Sequence, residues 1–233
     1  MSGMSKYRWI LFDADGTLFD YEQSELNALT RTFDQHGLRF DSGVHRTFAE
    51  INGGLWKDFE QGKVSSRELR ALRFEKLAVA LDYRLDATAF SAQYLLNLGA
   101  EHTLLPGASE IVENLAQRFG LLLATNGFAE VQRSRISSSI IRPFFDGIVI
   151  SEEIGFVKPD PNYFVEVFSQ LGNPDKAEVL MVGDSLSSDI AGGSGFGIDT
   201  CWFNPAGRPN DTSVEPTYEI SELEEVVAIV ENA

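Results

Sequence analysis

Residues 8–17 read RWILFDADGT, an apolar run of strand length that ends in two aspartates, a glycine and a threonine. Four more apolar runs of this kind follow, at residues 121–125, 147–150, 179–182 and 200–203. Near-continuous apolar runs are typical of strands that lie buried on both faces of a sheet. The five runs therefore predict a central sheet that is covered on both sides.

Helical patterns lie between these runs. Phe164 and Phe168, for example, have the spacing of one face of a helix. Strands that alternate with helices predict βαβ units, a parallel sheet and right-handed crossover connections. At the end of the chain, Ser221 and Glu224 have the spacing of a capping box, which predicts a closing helix over residues 221–231.

The alternation is interrupted by residues 20–104, which contain helical patterns but no strand-like run. The patterns mark three helices: one around Leu29, one that opens with a capping box at Ser65 and Glu68, and one around Tyr94. About 85 residues is far longer than an ordinary connection between a strand and a helix. We therefore predict an inserted all-helical domain over this stretch.

Together these patterns predict an α/β fold with two domains. We expect a Rossmann-like three-layer core with a parallel sheet over residues 1–19 and 105–233, and a helical cap domain over residues 20–104. The chain length of 233 residues agrees with one to two domains, at about 150 residues per domain.

The composition limits the classes of partner. The chain has 35 Asp and Glu residues against 19 Lys and Arg, a net charge of −16, and such a surface repels nucleic acids and anionic membranes. Cys201 is the one cysteine, so no disulfide can form within the chain and a reducing compartment suits it. No apolar run approaches the roughly 18 residues of a membrane helix, and residues 1–9 lack the apolar centre of a signal peptide. We therefore expect a cytoplasmic protein with no nucleic-acid or membrane partner.

Acidic residues follow two of the predicted strands. Asp13 and Asp15 end the first run, and Asp184 follows the fourth, with Asp189 further along. Carboxylates close together at the carboxyl edge of a sheet are costly unless a cation lies between them, and Mg²⁺ prefers oxygen ligands. This pattern favours a magnesium site, in which Asp189 is either a ligand or the partner of a neighbouring lysine. The alternatives are that Asp13 and Asp15 only form a turn that caps a helix, and that Asp184 or Ser185 only caps the next helix.

Two further polar segments end strands of the same sheet. Thr125-Asn126-Gly127 offers a hydroxyl, an amide and backbone N–H groups, which suit a phosphate, although a plain helix cap is also compatible with them. Lys158 follows the third run and is succeeded by two prolines, Pro159 and Pro161. A lysine there can bridge a carboxylate and a phosphate, or it can be an ordinary surface residue. All four segments are expected at one edge of the sheet.

This set of motifs resembles a known superfamily. Asp13-x-Asp15-x-Thr17, Thr125, Lys158 and Gly183-Asp184-x4-Asp189 are similar to the four motifs of the haloacid dehalogenase-like hydrolases, and the helical insertion resembles their cap. The resemblance covers nearly the whole chain. Five shorter stretches resemble the pyrimidine 5′-nucleotidase branch of that superfamily: Phe12-Asp13-Ala14-Asp15, Leu55-Trp56-Lys57-Asp58-Phe59 with Gly62, Thr125-Asn126-Gly127-Phe128, Ile150-Ser151-Glu152-Glu153-Ile154-Gly155 and Met181-Val182-Gly183-Asp184.

The resemblance implies phosphomonoester hydrolysis through a phosphoaspartate. It makes Asp13 the nucleophile and Asp15 the acid/base, which protonates the leaving alkoxide and then activates water. It implies Mg²⁺ bound by Asp13, by the backbone carbonyl of Asp15 and by Asp184, while Asp189 orients Lys158 or a metal-bound water. It implies a phosphate site formed by Thr125, Asn126, Gly127 and Lys158. The second aspartate also argues against dehalogenation, which has no alkoxide to protonate.

Substrate choice is expected to come from the cap. Trp56, Phe59 and Tyr21 are candidates to stack on a base, although they could instead fill the core of the cap itself. The resemblance implies a small phosphorylated metabolite as the substrate, a nucleoside monophosphate in particular. The alternatives are a sugar-phosphate phosphatase or phosphomutase of the same chemistry, or a binding module on a phosphatase fold that has no activity.

Overall fold

The computed structural model describes residues 5–233, so the first four residues of the polar start lie outside the described part of the chain. Within it six strands form one sheet: β1 Trp9–Phe12, β2 Gly120–Thr125, β3 Gly147–Ile150, β4 Val179–Gly183, β5 Asp199–Phe203 and β6 Tyr218–Ile220. All neighbouring pairs are parallel, in the order β3-β2-β1-β4-β5-β6. The predicted parallel α/β sheet is confirmed.

The described chain also contains ten α-helices. Four of them lie in the long insertion: α1 Tyr21–Gln35, α2 Ser42–Glu60, α3 Ser66–Leu81 and α4 Ala87–Gly99. The other six are α5 Ala108–Ala116, α6 Ala129–Ser138, α7 Ser151–Ile154, α8 Pro161–Gln170, α9 Ala191–Phe196 and α10 Glu225–Asn232. None of the helices in residues 5–233 is long and apolar enough to span a bilayer.

Alternate residues of the central strand pack on opposite faces of the sheet. Ile10 and Phe12 belong to one buried cluster with Val112 of α5 and Val226 of α10. Leu11 belongs to a second cluster, with four aromatic and aliphatic residues of α8: Tyr163, Phe164, Val167 and Phe168. Because side chains along a strand point alternately to the two faces, these clusters are the two cores of a three-layer Rossmann-like arrangement.

The end of the chain contains a strand that was not predicted, and the predicted closing helix is present with a later start. The sequence shows no strand after residue 203, but β6 pairs with β5 at the sheet edge. The closing helix begins at Glu225, not at 221. Ser221 donates its backbone N–H to Oε1 of Glu225 at 2.8 Å instead of pairing with Glu224, so residues 221–224 form a turn before the helix.

The chain divides into two compact units. One contains the sheet, with described residues 5–20, 103–129 and 136–233; the other contains residues 21–102 together with 130–135. The short second segment, residues 130–135, is part of α6, and no sequence pattern indicates that it groups with the helical unit.

The helical unit has its own aromatic core. Phe33, Phe48, Phe74 and Phe90 are fully buried. The rings of Phe48 and Phe74 lie 5.6 and 5.3 Å from that of the fully buried Tyr94, and Phe90 contacts both Phe74 and Phe33. The unit also contains α2, a helix that the sequence patterns did not mark.

The helix starts of this unit are capped. Asp41 caps α2 by accepting from the backbone N–H of Gly43 and Val44. The predicted capping box of Ser65 and Glu68 at the start of α3 is confirmed, with both reciprocal hydrogen bonds present.

Candidate active site

Asp13 is the first residue after β1, the strand that lies between β2 and β4. Its backbone N–H donates to Val182 O at 2.9 Å, so it continues the ladder with β4 before the chain turns. The residue is only 7 % exposed. The carboxyl ends of three adjacent parallel strands therefore converge around this carboxylate, which is where ligands bind in open α/β sheets.

A tight turn follows Asp13 and carries Asp15. It is closed by hydrogen bonds from Gly16 N to Phe19 O at 3.0 Å and from Phe19 N to Ala14 O at 2.8 Å. Gly16 has a φ of +81°, a conformation that favours glycine. Asp15 is half-buried in this turn, two residues from Asp13.

Lys158 is buried at the centre of the site. Its Nζ donates to Asp13 Oδ1, Asp189 Oδ1 and Ala124 O, each at 2.6 Å, which uses all three N–H donors of an ammonium group. The residue is 1 % exposed, so the alternative of a surface lysine is excluded. Burial alone would lower the pKa of Lys158, but the negative charges of Asp13 and Asp189 outweigh it and hold the pKa above its ordinary value. The lysine is therefore a permanent cation.

The segment that carries Lys158 is fixed by Asn126. The Asn126 side chain donates Nδ2–H to Lys158 O and accepts from Lys158 N, both at 2.9 Å. The backbone N–H of Gly127 donates to Ser151 Oγ at 3.1 Å. The predicted phosphate-binding segment thus lies beside the lysine, with its amide side chain engaged in positioning the lysine backbone.

Helix capping explains neither Thr125, at the end of β2, nor Asp184, after β4. Thr125 ends β2 and is fully buried, and helix α6 begins after Phe128 without any side-chain cap. After β4, the cap of the short π-helix Leu186–Ile190 is Ser185, which accepts from Ser188 N, and not Asp184. Neither Thr125 nor Asp184 is therefore explained by a helix start.

Three carboxylates converge at this edge. Asp13, Asp184 and Asp189 each place an oxygen within 4.8 Å of the other two. Asp184 also lies against the turn after β1, since a Cβ on Gly16 would be 2.9 Å from Asp184 Oδ2. The turn therefore requires glycine here for its close approach to Asp184 as well as for its φ.

The electrostatics fit a hard divalent cation. Burial, and then the charge of Asp189, raise the pKa of Asp184 to about 7. Burial also raises the pKa of Asp13, and the Lys158 cation opposes that rise. Buried carboxylates with raised pKa values are those that a cation would stabilise in the charged form, and oxygen-only donors suit Mg²⁺. The residues present fit magnesium.

The oxygens of Asp189 are already engaged. Oδ1 accepts from Lys158 and Oδ2 accepts from Ser185 N at 3.1 Å, and the side chain is 1 % exposed. Asp13 and Asp184 are therefore better placed than Asp189 to bind a metal, because the Asp189 oxygens already contact the lysine and the backbone of Ser185.

Arg208 is a residue of the site that sequence reasoning missed. It donates from Nη2 to the backbone O of Asp184 at 2.9 Å, and Trp202 donates Nε1–H to the same oxygen at 3.0 Å. Its guanidinium also lies 3.9 Å from Asp184 Oδ2. Arg208 lies in the polar loop after β5, where no sequence spacing connects it to Asp184.

The predicted specificity residues lie in the helical unit. Trp56 and Phe59 are half-buried on α2, with ring centroids 5.6 Å apart in an edge-to-face arrangement. Tyr21 opens α1 and donates its hydroxyl to Glu25 Oε2 at 2.9 Å, so its polar end is engaged within the helical unit.

Comparison with known proteins shows the family of this chain. A family model for the haloacid dehalogenase-like hydrolases matches residues 7–197. The chain belongs to this family and is an enzyme of the phosphatase type that the family comprises.

Three relatives cover nearly the full chain. The HAD-hydrolase YfnB of Bacillus subtilis is 38% identical over 97% of each chain, and its magnesium-bound crystal structure superposes with a TM-score of 0.92, covering 96% of this chain and 98% of that one. The pyrimidine 5′-nucleotidases PynA of Streptococcus pneumoniae and YjjG of Escherichia coli are each 34% identical over 95% of this chain, and over 94% and 96% of their own. The resemblance to the pyrimidine 5′-nucleotidase branch is confirmed.

Proposed function

We propose that this protein is a Mg²⁺-dependent phosphomonoester hydrolase that prefers pyrimidine nucleoside 5′-monophosphates. The observation that carries the chemistry is the buried contact of Lys158 with Asp13, next to Asp184 at the same sheet edge. The substrate class is supported by the two relatives named as pyrimidine 5′-nucleotidases.

In the first chemical step a carboxylate oxygen of Asp13 attacks phosphorus. The new O–P bond forms as the bond from phosphorus to the nucleoside 5′-oxygen breaks, which gives a phosphoaspartate and a leaving alkoxide. Lys158 contacts Oδ1 of Asp13, so the pair holds the carboxylate in one orientation and leaves Oδ2 for the attack. The turn after β1 holds Asp15 two residues away, as the acid that protonates the alkoxide.

In the second step water attacks the phosphorus of the phosphoaspartate. Asp15, now a carboxylate, takes a proton from that water, and the O–P bond to Asp13 breaks to release phosphate and regenerate the enzyme. The buried cation of Lys158 balances negative charge near the transferred group in both steps. The backbone after Thr125 supplies further N–H groups at this edge.

Asp13, Asp184 and the backbone carbonyl of Asp15 would hold Mg²⁺. When bound, the metal supplies positive charge that lets an anionic carboxylate approach an anionic phosphate and that stabilises the transferring group. The positive charge of Lys158 and of the bound metal would act locally. A chain with a net charge of −16 can therefore still bind an anion at this site.

The helical unit is proposed to choose among phosphomonoesters, with Trp56 and Phe59 as candidate contacts to the base. Nucleoside monophosphates are metabolites of the cytoplasm, and the buried, unpaired Cys201 suits that reducing compartment.

A substrate panel tests the proposal. Phosphate release is measured with Mg²⁺, with and without chelator, from UMP, AMP, 3′-UMP, ribose 5-phosphate and p-nitrophenyl phosphate. The proposal predicts chelator-sensitive turnover with the highest kcat/KM for UMP. A higher kcat/KM for ribose 5-phosphate than for UMP would support the phosphatase mechanism but contradict the preference for nucleotides. A requirement for a sugar bisphosphate would indicate a mutase, and no turnover by folded protein would overturn the proposal altogether.

A further inference from the structure

A cluster of buried polar side chains lies inside the helical unit and adjoins the aromatic core at Tyr94. We call it the polar cluster; it joins α1, α2, α3 and α4 and comprises Tyr21, Glu25, Asn52, Arg73 and Tyr94. Asn52, Glu25, Arg73 and Tyr94 are 4%, 5%, 1% and 0% exposed. Buried polar groups are costly unless they are paired, so such a cluster needs a structural or functional reason.

Asn52 is one of the members with an unpaired buried polar atom, and the Tyr94 hydroxyl is another. Its Nδ2 donates to Glu25 Oε2 at 3.0 Å and to Tyr21 Oη at 3.2 Å. Its Oδ1 is buried and has no hydrogen-bond partner within residues 5–233. The orientation of the amide is not arbitrary, because a carboxylate oxygen accepts and therefore faces the NH₂ group. The acceptor Oδ1 is consequently the atom that is left over.

The partners of Asn52 hold its amide in place. Glu25 also accepts from the Tyr21 hydroxyl at 2.9 Å, and His45 Nε2 lies 3.6 Å from its Oε1. The positive charge of Arg73 acts on Glu25 within the cluster, and its guanidinium lies 4.8 Å from the ring centre of Tyr94. Two hydrogen bonds thus fix the Asn52 side chain, while its carbonyl oxygen takes part in neither of them.

An aromatic ring lies one turn away on the same helix. Asn52 and Trp56 are four residues apart on α2, so their side chains emerge from the same face. A half-buried indole beside a fixed amide acceptor is suited to a planar heterocycle that stacks on the ring and donates an N–H group at its edge.

We propose that Asn52 is a specificity-determining residue, whose Oδ1 accepts a hydrogen bond from the ring N–H of a pyrimidine base stacked on Trp56. This proposal rests on the proposed function. It adds the residue and the atom that would recognise the base. A uracil or thymine ring carries an N3–H donor, whereas methylation at N3 replaces that donor with a bulky apolar group. A site that is built to pair with a substrate N–H discriminates strongly against an analogue that lacks it, because its own polar atom is then left unpaired.

The test combines a modified substrate with a matched pair of variants. kcat/KM is measured for UMP, N3-methyl-UMP and p-nitrophenyl phosphate with the wild type, Asn52→Leu and Asn97→Leu. Asn97 is the control because it is a buried asparagine of the same unit whose amide is satisfied on both sides: it donates to Thr32 and Gln35 and accepts from Gln93. Circular dichroism and Tm establish that each variant is folded.

The wild type is expected to use N3-methyl-UMP at least about tenfold less efficiently than UMP. Asn52→Leu is expected to lose about tenfold in kcat/KM for UMP through KM, to change by less than about twofold with the aryl phosphate, and to discriminate little between UMP and its methylated form. Asn97→Leu is expected to lower Tm while it keeps the wild-type discrimination.

The outcomes separate this inference from the proposed function. A wild type that prefers UMP over sugar phosphates but uses N3-methyl-UMP equally well overturns the role of Asn52 and leaves the proposed function standing. This comparison needs no variant, so it remains decisive even if Asn52→Leu fails to fold. A wild type that turns over aryl and sugar phosphates but not UMP overturns both. Equal losses for UMP and the aryl phosphate in folded Asn52→Leu show that the polar cluster only supports the fold.

Discussion

Lys158 and Asp189 form an ion pair in which Nζ lies 2.6 Å from Oδ1, and both side chains are 1 % exposed. The same ammonium group binds Asp13 Oδ1 at 2.6 Å. A lysine buried between two carboxylates keeps its charge. It connects Asp189, in the short π-helix after β4, to the proposed nucleophile Asp13 directly after β1. We therefore propose Asp189 as a positioning residue, distinct from the proposed metal ligands Asp13 and Asp184.

Asp189→Asn is expected to reduce kcat by roughly ten- to a hundredfold with little change in Mg²⁺ affinity, because the amide positions Lys158 less firmly. Asp184→Asn is expected to weaken Mg²⁺ binding strongly, since it removes a charged ligand. Isothermal titration with Mg²⁺ beside steady-state kinetics distinguishes the two. Strong loss of Mg²⁺ affinity in Asp189→Asn would assign Asp189 as a ligand instead.

Asp13→Asn is expected to lower kcat by at least about a thousandfold with every phosphomonoester, because an amide cannot serve as the nucleophile. Asp211→Asn, in the exposed part of the loop after β5, is the matched control and should retain wild-type turnover. Near-normal rates in folded Asp13→Asn would show that the reaction does not pass through a phosphoaspartate.

Asp15→Asn is expected to slow the release of the nucleoside from UMP far more than the release of nitrophenolate from p-nitrophenyl phosphate. A nucleoside alkoxide needs a proton to leave, whereas nitrophenolate is stable as an anion. Single-turnover measurements of both leaving groups test this, and equal losses for the two substrates would remove Asp15 from the role of acid.

Trp56→Ala is expected to raise the KM for UMP by about tenfold while it leaves the KM for p-nitrophenyl phosphate within about twofold, because stacking on a base contributes on the order of 1–3 kcal/mol. Phe59→Ala, which removes the neighbouring ring, is measured alongside. Equal changes for the two substrates, together with a lower Tm, would place Trp56 in the core of the helical unit.

The sheet and the motif positions could be predicted from sequence because they depend on local patterns. The run at 9–12 is apolar at every position, and parallel strands bring their carboxyl ends to one edge whatever their order. The strand β6 could not be predicted, since three residues at a sheet edge carry too short a pattern. Helix α2 was missed although it buries Val44, Phe48 and Leu55, because Gly53 and Gly54 interrupt its pattern with two weak helix formers.

Contacts that depend on tertiary packing were also beyond sequence reasoning. Arg208 binds the backbone of Asp184 from a loop that follows another strand. Asn52 and Glu25 meet because α1 and α2 pack with those faces together. In the linear sequence Asn52 and Arg208 are single polar residues outside any motif, and no spacing rule distinguishes them from surface residues.

The most direct test of the account uses Asp15→Asn with p-nitrophenyl phosphate and Mg²⁺ in a stopped-flow experiment. Nitrophenolate can leave without an acid, but the phosphoaspartate can be hydrolysed only slowly without a base. We predict a burst of one equivalent of nitrophenolate per enzyme, followed by a slow phase, with phosphate recovered on the peptide that contains Asp13 after acid quench. Linear release with no burst and no phosphorylated Asp13 would contradict the account.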